Sequence, residues 1–565
     1  MPFSLRYLLF FGWILGVGWH PASYSAQPEP ARIAGHMLFL ADDLLEGRET
    51  GSRGHQIAAR YLASQLQAFG LEPLPGYEDF QQQVPIRQSS LLQPYNRMVL
   101  HLPDGDHVFK TPQHYFLLPD LWAEQSAVTA EVVFVGYGLV SAHYGLDDYA
   151  GLDINGKLVM MLTGLPEHLP ADEIAHLRQQ RLQEAKARGA IGVIYLYTPK
   201  QQQVQPYQLF LHHFSLAPMM SWLTEQQVPG TNTHAFSAEA YLHHDAAAPF
   251  FQQAPLSASE VFALVEQQQL PGGFALNNSV TLERRSRHQS FESPNVLAVL
   301  PGSDPELRND YLVVTAHSDH VGINQNLRYP QQAAIHNGAI DNAAGVAIVL
   351  EAARVLAAGP APARSVLFLF PTAEERGLLG ADYFVQNPPV PLERVIATLN
   401  IDAPLLLFPL ADLLAYGADH SSLGDAVTRA AALEALTISP DPLPEQALFT
   451  RSDHYRFVEQ GIPALFLMVG QQSRDPNIDG RAIWQRYLSQ HYHQPSDSIA
   501  GLTAAFGGIY YDEGARLSRV LLHLIAELAN DRQQPDWHRE SFFHPSGPNQ
   551  HAPSQHDQVL DENSR

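Results

Sequence analysis

From Pro294 to about Asp402 the chain alternates two hydrophobic textures. Short apolar runs, NVLAVL, YLVVT, SVLFLF and VIATLNI, lack the polar alternation of a half-exposed strand and so predict strands buried on both faces. Between them, GVAIVLEAARVLAAG spaces its apolar residues three and four apart and predicts a helix. Strand and helix taking turns predict an α/β fold in which helices cover both faces of one sheet. Such folds place their chemistry at the carboxyl ends of strands, and polar residues accumulate there in this chain.

Other segments read differently. Residues 33 to 70 hold two helical patterns, IAGHMLFLADDLLEG and RGHQIAARYLASQLQAFG, joined by the glycine-rich turn GRETGSRG and stopped at Gly70. From about 125 to 200, AEVVFVGYGLV, GKLVMMLTG and IGVIYLYTP, with one helical pattern among them, predict a compact insert with its own core. The predicted division is 1–26 export signal, 27–120 first part of the main domain, 121–290 insert, 291–531 remainder of the main domain, and 532–565 an aperiodic tail expected to be largely disordered. The signal assignment rests on Arg6, an apolar core from Tyr7 to about Trp19 and the small residues Ser23, Ser25 and Ala26. It predicts export to the periplasm or the exterior, with an uncleaved N-terminal anchor as the alternative.

Composition narrows the partners. The 565 residues carry 34 basic and 58 acidic side chains, a formal charge of −24, which argues against nucleic acid and against anionic lipid. There is no cysteine, so disulfides, thiolate zinc sites and cysteine nucleophiles are all excluded.

Strand ends and their turns deliver His317 and Asp319 in VVTAHSDH, Asp341 in NGAIDNAAG, Glu374 and Glu375 in PTAEERG, and Asp402 in ATLNID, and His493 follows late in HYHQPSDS. Each has an ordinary alternative. A lone histidine in such a turn is usually hydrogen-bonded or solvated, Asp341 could cap the following helix, and Asp402 could open a turn. Their joint placement at one edge of one sheet favours a metal such as zinc held by nitrogen and oxygen. Asp319, two residues from His317, could orient that imidazole, and Asp497 could do the same for His493. Adjacent side chains at a strand end point to opposite sides, which would separate Glu374 from Glu375. Ser452, Asp453 and His454 are consecutive and diverge, so they cannot themselves form a Ser-His-Asp relay, and no HExxH is present.

The ordered series VVTAHSDH, HNGAIDNAAGVAIVLEAARVL, SVLFLFPTAEERGLLGADYF, ATLNID, SDHYRFVEQGIPALFLM and YHQPSD resembles the M28 family of zinc metallopeptidases, and EVVFVGYGLV with EAKARGAIGVIYLY resembles the protease-associated insert of some secreted bacterial members. The resemblance implies a three-layer α/β/α sandwich with a mixed, mostly parallel sheet and a β-rich protease-associated insert. It implies two zinc ions, one held by His317, Asp341 and Asp402 and the other by Asp341, Glu375 and His493, with Asp341 shared and Glu374 as general base. Paired divalent ions can lower the pKa of a shared water and polarise a carbonyl. The implied activity is aminopeptidase action on peptides or small proteins, with no nucleic acid and no stable membrane partner. Alternatives on the same fold are a carboxypeptidase, an N-terminal glutamine cyclase and a non-catalytic binding module. One departure is APLLLFPL after Asp402, where relatives often carry a methionine and small polar residues.

Overall fold

The apolar runs at 311–315, 365–370 and 395–401 lie side by side as parallel strands in the computed structural model, which describes residues 26–208, 211, 218–230, 235–324 and 334–546. Strand Tyr311–Thr315 is in the middle, flanked by Ser365–Phe370 and Val395–Ile401, and Ala464–Val469 extends the parallel run beyond Val395–Ile401. Antiparallel strands border it, Asp412–Tyr416 on one side and residues 296–300 on the other. The sheet is therefore mixed and mostly parallel around the strands that matter, as predicted.

Both faces are covered, which explains the continuous apolar runs. Leu312, Val314, Val366 and Phe368 pack towards helices Gly345–Ala357 and Tyr511–Asn530, whereas Val313, Leu367 and Leu369 face Phe384, Val385 and Phe457. Helices Pro30–Leu40 and Arg53–Phe69 join the first layer through Ile33, Met37, Leu62 and Leu66. The helical pattern read to Gly47 ends earlier, at Leu40, and a tight turn Asp43–Arg48 follows with Glu46, Gly47 and Arg48 all at positive φ.

One long strand, Phe274–Leu300, runs through both lobes. Its first half pairs with Gln125–Phe134 and its second with Gln81–Leu91 and Ser365–Phe370. The insert's strands Leu158–Leu162, Gly192–Leu196 and Ala238–Leu242 run in parallel and are joined to the main sheet through this long strand. The insert's edges differ from those predicted. Strands Arg97–Leu102 and Tyr115–Leu117, placed by sequence in the main domain, pair within the insert, while Met219–Trp222 leaves it to pair with Gln81–Leu91. Pairing across such distances leaves no mark on local hydrophobic pattern.

The tail differs as well. Residues 532–546 pack on the body, with Trp537, Phe542 and Phe543 buried and the Trp537 indole donating to Gly461 O at 2.7 Å. The export signal lies outside the described residues except for Ala26, and so do residues 547–565. Among the described residues no helix is long and apolar enough to cross a membrane.

Candidate metal centre

Three neighbouring parallel strands end at the same edge, and each hands over a metal-binding type of side chain within one to five residues of its last position. His317 follows the central strand, Asp402 follows one neighbour, and Glu374 and Glu375 follow the other. Asp341 comes from the bend before helix Gly345–Ala357, and His493 from the turn after helix Gly480–Gln490. All six predicted residues converge.

Asp341 stands between the two histidines. Its Oδ1 lies 3.2 Å from His317 Nε2 and its Oδ2 lies 3.0 Å from His493 Nε2. The same His317 nitrogen is 3.0 Å from Asp402 Oδ1, and the same His493 nitrogen is 3.1 Å from Glu375 Oε2. Each imidazole nitrogen thus faces two carboxylate oxygens, one of them from the shared aspartate. Ligands about 2.0–2.2 Å from a tetrahedral zinc are about 3.3–3.5 Å apart, so each triple closes with shifts of a few tenths of an ångström. Ligand atoms of His317, Glu374 and Asp402 lie within 4.8 Å of one another, and so do those of His320, Asp341, Glu375 and His493. The donor set is nitrogen and oxygen only, which suits zinc.

The predicted cap at Asp341 belongs to its neighbour, since Asn342 Oδ1 accepts the Gly345 N–H at 3.1 Å. That leaves the Asp341 carboxylate for the centre. The glutamate pair separates by a different device from the one expected. Residues 374–376 form a helical turn entered through Ala373 at φ 54°, and this turn, rather than strand alternation, sends Glu375 to His493 and leaves Glu374 near His317 and Asp402.

Both predicted orienting carboxylates are nearby with altered roles. His317 Nδ1 meets the backbone carbonyl of Asp319 at 3.2 Å, while the Asp319 carboxylate is 3.9 Å away. That carboxylate instead accepts the Thr50 hydroxyl at 3.1 Å and the Glu374 N–H at 3.1 Å. Asp497 accepts the Ile340 and Asp341 N–H groups at 3.0 and 3.2 Å and the Tyr487 hydroxyl at 3.1 Å, so it orients the Asp341 backbone rather than His493.

Charge and burial set the titration. Burial opposes a charge on His317, yet Asp402, Glu374 and Asp341 raise it well above its ordinary value. Burial also opposes ionisation of Asp341, and hydrogen bonds from His317 and His493 override it and hold the carboxyl well below the usual range. Glu374 goes the other way, raised by burial and by the charges of Asp402, Glu375 and Asp453, with His317 opposing. Glu375 goes down, its burial overridden by His493 and His320, so the two adjacent glutamates have divergent affinities for a proton.

Several contributors were given no part in the centre by the sequence reading. Ser452 donates to Asp402 Oδ2 at 2.7 Å and itself accepts from Asn400 Nδ2 at 2.8 Å. Arg48 is buried and donates to Asn337 O at 2.6 Å, Gly338 O at 3.1 Å, Ser318 O at 3.1 Å and also to Leu40 O, tying the His317 loop to the approach to Asp341. His320 is buried beside Glu375. Arg48 and Thr50 sit in GRETGSRG, which read only as a glycine-rich turn; His320, three residues after His317, was the one a ligand count could have flagged. A cavity of about 220 Å³ between the lobes is lined by Trp122, Met220, Arg376 and Arg456, but none of the metal-type residues lines it.

Residues 295–506 match the model of a family described as Peptidase family M28. A probable lipoprotein aminopeptidase LpqL of Mycobacterium tuberculosis (strain ATCC 25618 / H37Rv) is 26% identical over 274 residues, 48% of this chain and 45% of that protein. A probable leucine aminopeptidase 2 of Aspergillus oryzae (strain ATCC 42149 / RIB 40) is 28% identical over 202 residues, 34% of this chain and 37% of that protein. The chain thus matches less than half the length of these curated relatives. Among solved structures, an aminopeptidase from Aneurinibacillus sp. strain AM-1 aligns over 90% of this chain and 96% of its own, at 18% identity and a TM-score of 0.49.

Proposed function

We propose that the protein is a two-zinc exopeptidase, an aminopeptidase that releases N-terminal residues from peptides, a reading supported by the match of residues 295–506 to peptidase family M28. The observation that carries this reading is the division of Asp341 between His317 and His493, at 3.2 and 3.0 Å. A carboxylate with one oxygen towards each imidazole suits a shared ligand, and each imidazole then has a second carboxylate, Asp402 or Glu375, for its own ion.

His317, Asp341 and Asp402 would hold one zinc, and Asp341, Glu375 and His493 the other. When bound, the ions supply Lewis-acid polarisation of the scissile carbonyl and a water of lowered pKa. The chain's own residues do the rest. Glu374 accepts the proton of the attacking water and returns it to the leaving amine, a task that suits a carboxyl whose proton affinity is raised well above the ordinary carboxylate range by burial and neighbouring charge. Asp319 holds the Glu374 N–H and so fixes the turn from which the base reaches the reacting atoms. Ser452 holds the second oxygen of Asp402 and leaves the first facing His317. The protein would work after export directed by residues 1–26, a reading supported by Arg6 and the apolar core that follows it.

Zinc content and hydrolysis of an aminoacyl-amide and dipeptide panel, measured with chelator and after zinc is restored, test the proposal. Glu374→Gln is expected to keep two zinc ions and lose about 10²–10⁴-fold in rate, the worth of a general base. Asp341→Ala is expected to lose metal. An active Glu374→Gln enzyme overturns the base, release of C-terminal residues alone overturns the direction, and full activity without metal overturns the whole reading.

A further inference from the structure

His320 is fully buried, and its Nδ1 lies 2.7 Å from Glu375 Oε1. That is the oxygen of Glu375 turned away from His493, which faces Oε2 at 3.1 Å. A separation of 2.7 Å is shorter than the roughly 3.3–3.5 Å between two ligands on one tetrahedral zinc, and it is the length of a charge-assisted hydrogen bond. A carboxylate that serves as a ligand can only accept a hydrogen bond, so Nδ1 is the donor in the loaded site. Nε2 finds no partner among the described residues, so the bond to Glu375 is the polar contact that holds the ring. The surroundings hold it too. The His320 N–H donates to Arg48 O at 3.1 Å, and Gly338 lies flat against the ring, where a β-carbon would meet Cδ2 at 2.6 Å.

We propose that His320 is a positioning residue that restricts Glu375 to ligation through one oxygen. A glutamate free to use both oxygens would take two positions on its zinc, and a catalytic zinc must keep a position for water and substrate. With Oε1 engaged by His320, only Oε2 is offered towards His493 and Asp341. The inference rests on the two-zinc reading above, and it makes the two metal positions unequal, because His320 touches a ligand of the His493 ion and none that belongs to the His317 ion alone. Hydrogen-bond partners of ligating groups are worth about 10–100-fold in metal affinity when removed.

The test is stepwise zinc binding by competition with a chromophoric chelator, with kcat and KM, on the full-length protein and on His320→Leu, His320→Ala and His320→Asn. Leucine matches the bulk without a donor, alanine removes both, and asparagine places an N–H close to the position of Nδ1. For whichever donor-less variant keeps the native circular dichroism, one of the two zinc steps is expected to weaken about 10–100-fold with the other unchanged, and asparagine is expected to restore it to within about threefold. Equal weakening of both steps, no weakening, or an asparagine variant as poor as leucine overturns the inference while leaving the metalloenzyme reading intact. A wild-type protein that binds no zinc overturns both.

Discussion

Asp172→Asn is expected to stabilise the protein, and to do so increasingly as pH rises from about 4 to 7. Asp172 lies in the first turn of helix Ala171–Ala187, where the insert rests on the main domain. Nearby, His176 Nδ1 is 2.6 Å from the Tyr455 hydroxyl and the Gln179 amide donates to Thr450 O at 3.3 Å. Burial, then the charges of Asp441 and Glu173, push the Asp172 carboxyl from 3.8 to about 7, against a hydrogen bond from the Phe449 N–H. Its Oδ1 has no hydrogen-bond partner among the described residues. The unfolded chain ionises near 3.8, so between the two values the folded state retains a proton that the unfolded state has released. The unfavourable contribution is absent below about pH 3.8, grows as pH rises, and is constant above about 7. Its full size is about 4 kcal/mol, reduced to about 2–4 once the partial exposure of the carboxyl is allowed for. An asparagine keeps an acceptor for Phe449 and can donate towards Asp441. Guanidinium unfolding of both proteins, followed by tryptophan fluorescence at pH 5 and pH 8, should show a gain that is larger at pH 8 by about 1–3 kcal/mol. A gain independent of pH, or a loss at pH 8, refutes the reasoning and shows Asp172 to be ionised and well solvated.

Two more predictions address the centre and the tail. Gly338 has φ +59°, and a β-carbon there would lie 2.1 Å from Asp341 O, so Gly338→Ala should abolish zinc binding; Gly507→Ala, at φ +86° with nothing within 4 Å, should cost only about 1 kcal/mol and keep metal and activity. Comparable metal content in the two variants would sink the steric argument. Phe543 packs on His176, His420, Phe449 and Trp537, linking insert, main domain and C-terminal segment. Phe543→Ala should cost about 3–5 kcal/mol and expose the segment after Asp531 to limited proteolysis, and an unchanged cleavage pattern would show that the segment is held by other contacts.

Much of the centre could be read from the chain because its parts are local. A buried parallel strand needs an unbroken apolar run, and the polar residue that ends the run is visible beside it. His317, Glu375 and Asp402 could be picked out in this way, and Asp341 and His493 through motifs of short span. The pair Glu374 and Glu375 was legible as a candidate base and a candidate ligand, but not the turn through Ala373 that separates them.

The supporting contacts are of another kind. Thr50 reaches Asp319 across 269 positions, Arg48 reaches Gly338 across 290, and Asp497 reaches Ile340 across 157. A buried donor or acceptor must be satisfied, but local pattern does not say by which distant group. Asp319 and Asp497 were therefore found as residues and misassigned as partners, and His320 was passed over. The same reason moved strands 97–117 into the insert and settled residues 532–546 on the body. By itself the sequence determined the buried strands of the main sheet, the helix that follows Asp341 and the candidate metal-binding side chains, since these follow from periodicity and residue type. Only the tertiary structure decided which oxygen faces which nitrogen, because that depends on backbone segments brought together by the packing of both faces of the sheet.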